Sequence, residues 1–409
     1  MKKIVIVGVD SFENRGVEAL VRSIVQGLQA SFGQPEIDIF CTGFSFNQSS
    51  GPEAFCSFYD DPYRSFSAKA LRKIGLLFTI IPEVLNKEFR NARKTIRHAD
   101  LVISTGGDIF GKDYGGFQNY LTPLIEARQA STPYVFLGHS IGPFEDEALR
   151  KMFKDIVASA TLVTCRETRS LEYVIDNLGL PSDRVALVGD VAFLLRPASR
   201  KCADEILSEI GIAPDEPRIA VSVSGGISQF SGLDKDQHAC RWAETLTVLA
   251  EQTGLRVIVI PHVWSGSPDP SNNDMIEAKK VLSHLNHSRV SLIERQCSAM
   301  EYKAIIGTCE FLVAERMHAA IAGLSQHVPT VAISYSVKAD GIIGDLFINE
   351  PESRKPILSI SDYMKGPDSD IRLLEYFNRR ADLRAMLGEN VPRMTKLAQT
   401  NFDLLEKIL

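Results

Sequence analysis

At 409 residues the chain exceeds one ordinary hydrophobic core, which predicts two domains. Its 44% hydrophobic and 23% charged residues are those of a globular protein, and a net charge of −6 argues against nucleic acid as a partner. No apolar stretch reaches the roughly 18–20 residues that a membrane span needs.

The chain opens with MKKIVIVGVDSFENRG. Its apolar part is too short for a signal peptide and is soon followed by Asp10, Glu13 and Asn14, so it reads as a first strand. Seven scattered cysteines, odd in number and without a CxxC pair, predict reduced, buried thiols in a cytosolic protein rather than a disulfide framework or a zinc site. Further apolar runs follow at 37–41, 101–104, 134–137, 162–165 and 185–188, then at 219–223, 257–260, 290–293, 311–314 and 330–334. Helical patterns separate most of them, for example 17–31, 148–159, 168–178, 241–252 and 275–285. Strand–helix alternation with continuously apolar strands predicts parallel sheets covered on both faces. The pattern occurs twice, with a polar, proline-containing break near 196–210. The expected fold is therefore α/β, with two doubly wound, Rossmann-like domains facing a cleft. The expected boundaries are 1–196, 197–358 and a helical tail over 359–409 that returns to the first domain or mediates dimerisation. The segment 64–98 carries a net charge of +7, leaving −13 for the rest. It reads either as a membrane-docking surface or as a core helix with a solvated basic face.

Ligands of such sheets bind beyond the carboxyl ends of the strands, so the loops there supply the candidates. After the first strand come Asn14 and Gly16, at a helix start suited to an anion but without the dinucleotide glycine fingerprint. Asn14 serves equally well as a turn former. After 101–104 comes the glycine-rich stretch STGGDIFGKDYGG, with Gly106, Gly107 and Asp108. After 134–137, His139 reads equally as a site residue or as a turn histidine bonded to the backbone. After 162–165, Arg166 opposes the dipole of the helix it precedes; an anionic ligand explains it, and so does pairing with Glu167 or Asp190. In the second half, His262 follows one strand, Arg316 and His318 head a small-residue helix after another, and Lys338 follows the last. Arginine forks suit carboxylate and phosphate, and histidine supplies a proton near neutral pH. The sequence has no HExxH, Cys/His cluster or P-loop motif, so no metal is expected.

Together these segments resemble the polysaccharide pyruvyl transferase family over about residues 3–347. The resemblance is carried by Asn14-x-Gly16-x-Glu18-Ala-Leu, STGGD, GHSIGPF, CRETRS…VGDVAF, IPHVW and, most specifically, ERMHAAIAGLSQHVPTVAISYSVKADG. The family often carries a third glycine where this chain has Asp108, an acidic residue near Val17 and a leucine where it has Met317. The resemblance implies a GT-B-like fold and transfer of a pyruvyl group from phosphoenolpyruvate onto sugar hydroxyls as a ketal, in building cell-surface polysaccharide. It implies His318 as the acid, with Arg166, Arg316 and Lys338 binding the donor. Asn14, Gly16, Gly106, Gly107, Asp108, His139 and His262 would lie in acceptor- or ligand-binding loops. The N-terminal domain would then be the acceptor side and the second domain the donor side. Phosphoenolpyruvate would be a co-substrate with no further cofactor. A sugar or lipid-linked oligosaccharide would be the acceptor, met in the cytoplasm or at the inner membrane face. A GT-B-like glycosyltransferase using a nucleotide sugar, and a non-catalytic sugar- or anion-binding protein, are the alternatives.

Overall fold

A computed structural model describes residues 1–43, 46–47, 56–64, 87–111, 117–227, 234–264, 273–334 and 337–409. The chain divides into two compact units. Unit 1 comprises residues 1–12, 20–191 and 396–409, and unit 2 comprises residues 13–19 and 192–395. The tail is thus shared, its residues up to 395 clustering with unit 2 and the remainder with unit 1.

Unit 1 contains strands β1 (Lys3–Val9), β2 (Glu36–Cys41), β3 (Cys56–Asp60), β4 (Leu101–Ser104), β5 (Gly107–Phe110), β6 (Tyr134–Ile141), β7 (Leu162–Cys165) and β8 (Val185–Leu187). They form a parallel sheet in the order β3-β2-β1-β4-β6-β7-β8, with β5 beside β6. Ile4 to Val7 and the whole of β4 are buried, as expected where helices cover both faces. Unit 2 contains β9 (Arg218–Ser222), β10 (Arg256–Val259), β11 (Val290–Leu292), β12 (Phe311–Ala314), β13 (Thr330–Ser334) and β14 (Ile357–Ser359). Its order, β11-β10-β9-β12-β13-β14, is all parallel and is the doubly wound order of a Rossmann sheet.

Every apolar run read from the sequence forms a strand. The structure adds β3, β5 and β14. β3 and β14 are edge strands with exposed positions, so they lack a continuous apolar signal. β6 runs on through Gly138, His139 and Ser140 to Ile141, four residues beyond the expected strand. The basic segment lies mostly outside the described residues. Of its described parts, Arg64 pairs with Asp10 and lies over the Tyr120 ring, and Arg93 pairs with Glu126 at 2.7 Å. No helix among the described residues is long and apolar enough to cross a membrane.

The final helix, Arg380–Glu406, is fastened to the unit 1 sheet by buried Asn401. Its Oδ1 accepts from Thr164 Oγ1 at 3.0 Å, and its Nδ2 donates to the Gly189 carbonyl at 3.0 Å. Asn401→Ala removes both bonds, leaving Thr164 Oγ1 only the Phe136 carbonyl as acceptor, and should lower unfolding stability by about 1–3 kcal/mol. Urea denaturation checks this, and an unchanged midpoint would show that the helix is held by its apolar contacts alone.

Candidate functional site

In unit 2 the chain leaves β9 toward β10 on one side and returns to β12 on the other. This reversal opens a crevice at the carboxyl ends of β9 and β12, where doubly wound sheets bind ligands. One buried carboxylate organises the loops there. Asp274, the first residue of the helix Asp274–Ser283, is fully buried. Its Oδ1 accepts from Gly225 N, after β9, at 2.9 Å. Its Oδ2 accepts from His262 N and Val263 N, after β10, at 3.2 and 2.8 Å. Arg316, after β12, donates from Nε to Oδ2 at 3.1 Å and from Nη2 to Oδ1 at 2.6 Å. Gly225 passes so near Asn273 that a Cβ would lie 2.8 Å from its carbonyl oxygen.

Glu315, next to Arg316, turns the other way. Its Oε2 accepts from Ser224 N at 2.6 Å, and its Oε1 accepts from Trp242 Nε1 at 2.8 Å and meets His238 Nε2 at 2.8 Å. His238 Nδ1 lies 2.7 Å from Glu277 Oε1. Burial opposes a charge on His238, but the Glu315 carboxylate and the bonds to both glutamates outweigh it and lift the imidazole to about 10. His238 is therefore an imidazolium clamped between two carboxylates.

The opening of the helix Arg15–Phe32 also belongs to unit 2. Asn14 forms an antiparallel bridge with Val263, Arg15 N donates to the His262 carbonyl at 2.9 Å, and Trp264 N donates to Glu13 O at 3.0 Å. Asn14 Oδ1 accepts from Gly16 N at 2.9 Å, which turns the chain into the helix. Gly16 then lies under the His318 ring, and a Cβ there would be 2.5 Å from Nδ1. Arg15 Nη1 pairs with Glu18 at 3.2 Å, and the same Glu18 oxygen accepts from Ala299 N at 3.0 Å. A small cavity is lined by Arg15, His262, Lys303 and His318, with Ala19, Leu195 and Ala322 among its apolar walls. His262 stacks on Tyr302, with ring centroids 5.2 Å apart. Its imidazole is pushed down to about 3, first by burial and then by Arg316, His318 and Arg15. It is neutral at physiological pH, chiefly because burial disfavours its charged form.

The structure thus brings together Asn14, Gly16, His262, Arg316 and His318. Lys338 lies in the helix Val337–Leu346, and its side chain is outside the described residues. The other candidates belong to unit 1. Gly106 sits so near β6 that a Cβ would lie 2.8 Å from the Leu137 and Gly138 carbonyls, and Gly107 has φ +106°; close packing requires the first glycine and backbone conformation the second. Asp108 is half-buried on β5. His139 is a core residue of β6 rather than a turn histidine, with Nε2 3.0 Å from Ser104 Oγ and its ring 4.8 Å from that of Phe110. Burial pushes it down to about 3. Arg166 is buried, with Nη1 2.7 Å from Asp190 Oδ2 and Nε 2.8 Å from Ser140 Oγ. Of the two explanations for this arginine, pairing with Asp190 is therefore the one the structure displays.

Sequence reasoning missed Asp274, Arg15, Lys303 and the Glu277–His238–Glu315 chain. Asp274 reads as an ordinary acidic first-turn residue, and Lys303 as a solvated helix lysine. Only Arg15, between Asn14 and Gly16, carried a local signal. Among the described residues no cluster could hold a metal ion.

The raised His238 gives a pH dependence with a definite sign. Its stabilisation is complete below the unfolded value of 6.5 and is lost as pH rises through about 10. Unfolding stability should fall over that window in the wild type and be flatter in His238→Gln. Urea titrations across the window measure it, and parallel slopes in the two proteins would refute the clamp.

The sequence pattern of the polysaccharide pyruvyl transferase family matches residues 14–337. The amylovoran biosynthesis protein AmsJ of Erwinia amylovora is 24% identical over 386 residues, covering 88% of this chain and 89% of that protein. Among solved structures, the UDP-GlcNAc 2-epimerase of Neisseria meningitidis, bound to UDP-GlcNAc, matches with a TM-score of 0.59 at 12% identity over 100% of both chains. Anabaena HepE, in complex with UDP and glucose, matches with a TM-score of 0.60 at 12% identity over 97% of this chain and 98% of that one. These structural likenesses establish a GT-B-like fold with two Rossmann-like sheets. The chain belongs to the polysaccharide pyruvyl transferase family and is a transferase of polysaccharide biosynthesis.

Proposed function

We propose that the protein transfers the pyruvyl group of phosphoenolpyruvate to two hydroxyls of a sugar, forming a ketal and releasing phosphate, with no metal or further cofactor. The observation that carries this reading is the convergence of His318, neutral His262 and the cations Arg15, Lys303 and Arg316 at the β9/β12 crevice. A donor bearing a carboxylate and a phosphate needs several fixed cations, and its methylene carbon needs a proton.

In this mechanism His318 protonates the methylene carbon and leaves an oxocarbenium-like centre at C2. One sugar hydroxyl adds to C2. The C2–O bond to phosphate then breaks with its electron pair, and the second hydroxyl closes the ketal. Of the two hydroxyl protons, one restores His318 and the other leaves on phosphate. Arg316, held as a fork by Asp274, orients the donor carboxylate without reorganising as charge develops. The acceptor is a sugar of a growing polysaccharide or lipid-linked oligosaccharide.

Phosphate release from phosphoenolpyruvate, assayed across a panel of free and lipid-linked acceptors, tests the reading. His318→Ala should lose about 100-fold or more in kcat while keeping its melting transition; near-wild-type turnover would remove His318 from the chemistry. Gly16→Ala, whose methyl displaces the His318 ring, should lower kcat on the order of 100-fold, the scale of a misplacement near 1 Å. Phosphoenolpyruvate should also raise the melting temperature. A shift with UDP or GDP but none with phosphoenolpyruvate would instead support a nucleotide-sugar transferase.

A further inference from the structure

The helix Met317–Leu324, which follows β12, carries His318 in its first turn. It begins without the usual fastening. A helix start is ordinarily fixed by a Ser, Thr, Asp or Asn side chain at the N-cap. Here the N-cap is Arg316, whose side chain makes no capping bond and is committed to Asp274. Glu315, one residue earlier, supplies a different anchor. Its backbone N donates to the Ser222 carbonyl at 2.9 Å. Its carboxylate accepts from Ser224 N and Trp242 Nε1 and meets His238 Nε2. A strand end that only had to pack would carry no carboxylate there, since burying one is costly unless donors meet it.

The contacts of His238 constrain its protonation by geometry alone. Its Nδ1 lies 2.7 Å from a Glu277 oxygen and its Nε2 2.8 Å from a Glu315 oxygen. A neutral imidazole has one donor and one acceptor, so one of its nitrogens would turn a lone pair toward a carboxylate. The imidazolium donates to both, and the raised basicity of the ring agrees. His238 and Trp242 are fully buried, and both approach the same oxygen of Glu315 from the helix Lys235–Thr253. A charge-assisted bond in such an interior is strong.

We infer that His238 is a positioning residue for the site: its two N–H groups lock the Glu315 carboxylate against Glu277, and Glu315 in turn fixes the start of the helix on which His318 stands. This role rests on the pyruvyl-transfer reading and adds to it a second support for the His318 ring, besides its packing on Gly16. Arg316 has its own support in Asp274. Losing the lock should therefore harm proton transfer more than donor binding.

Steady-state kinetics with phosphoenolpyruvate and hydrogen exchange over residues 311–324, both on the full-length protein, test the lock. His238→Gln is neutral and cannot give a charge-assisted bond to both glutamates. Its kcat should fall about tenfold or more while KM for phosphoenolpyruvate stays within about threefold. Its amides over 311–324 should exchange about tenfold faster or more. Asn401→Ala, a destabilising change in unit 1, should leave kcat and that exchange near wild type, which separates positioning from a general loss of stability. Should His238→Gln fail to fold, Glu315→Gln decides in its place with the same expectations. A folded variant with kcat within about twofold of wild type, a loss carried wholly by KM, or equal exchange in His238→Gln and Asn401→Ala would each overturn the inference. Its fate is separable from that of the proposed function. Faster exchange confined to His238→Gln, with no acceptor supporting turnover of phosphoenolpyruvate by wild type, would retain the lock and remove the pyruvyl reading. Turnover by wild type, with kcat and exchange unaltered in the variant, would do the reverse.

Discussion

Unit 2 depends on the buried carboxylate of Asp274. Burying such a group is costly, and a buried ion pair alone seldom repays the cost. Here the charge is met by three backbone N–H groups and two guanidinium N–H groups. Charge-assisted bonds of this kind are the strong ones. What they gain is placement more than stability. The loops after β9, β10 and β12 have no sequence proximity, and the carboxylate fixes all three to one point. Arg316 consequently arrives with its planar fork already aimed.

Within the four residues Glu315 to His318, three side chains turn to three different partners. Glu315 points inward to His238, Trp242 and Ser224; Arg316 reaches Asp274; His318 packs on Gly16. The two buried histidines of this region sit at opposite ends of the titration range for the same elementary reason. His238 faces two carboxylates and is held charged. His262 faces two arginines and a histidine and is held neutral. Burial opposes charge in both; the carboxylates beside His238 outweigh it, and the cations beside His262 add to it.

Unit 1 has the same winding, and its motif residues are tied into its sheet. Gly106 and Gly107 let the chain turn against β6, His139 fills the core beside Phe110, and Arg166 is neutralised by Asp190.

The sequence by itself determined the alternation of buried strands and helices, and with it the two Rossmann-like sheets, because continuous apolar runs at strand length have few other uses. It also determined His318 and Arg316 as awkward residues at the head of a packing helix. Local pattern carried both, through the small-residue stretch that follows them. It did not carry the edge strands β3 and β14, which are half-solvated and so lack an apolar run. Nor did it carry Asp274, Lys303 or the His238 clamp, whose meaning depends on partners tens of residues away. Asp274 and Arg316 are 42 positions apart, and Arg15 and His262 lie in opposite halves of the chain. Only the doubly wound order of the sheet, which folds distant strand ends into one crevice, decided that these residues meet. Burial there converted ordinary surface residue types into fixed charges.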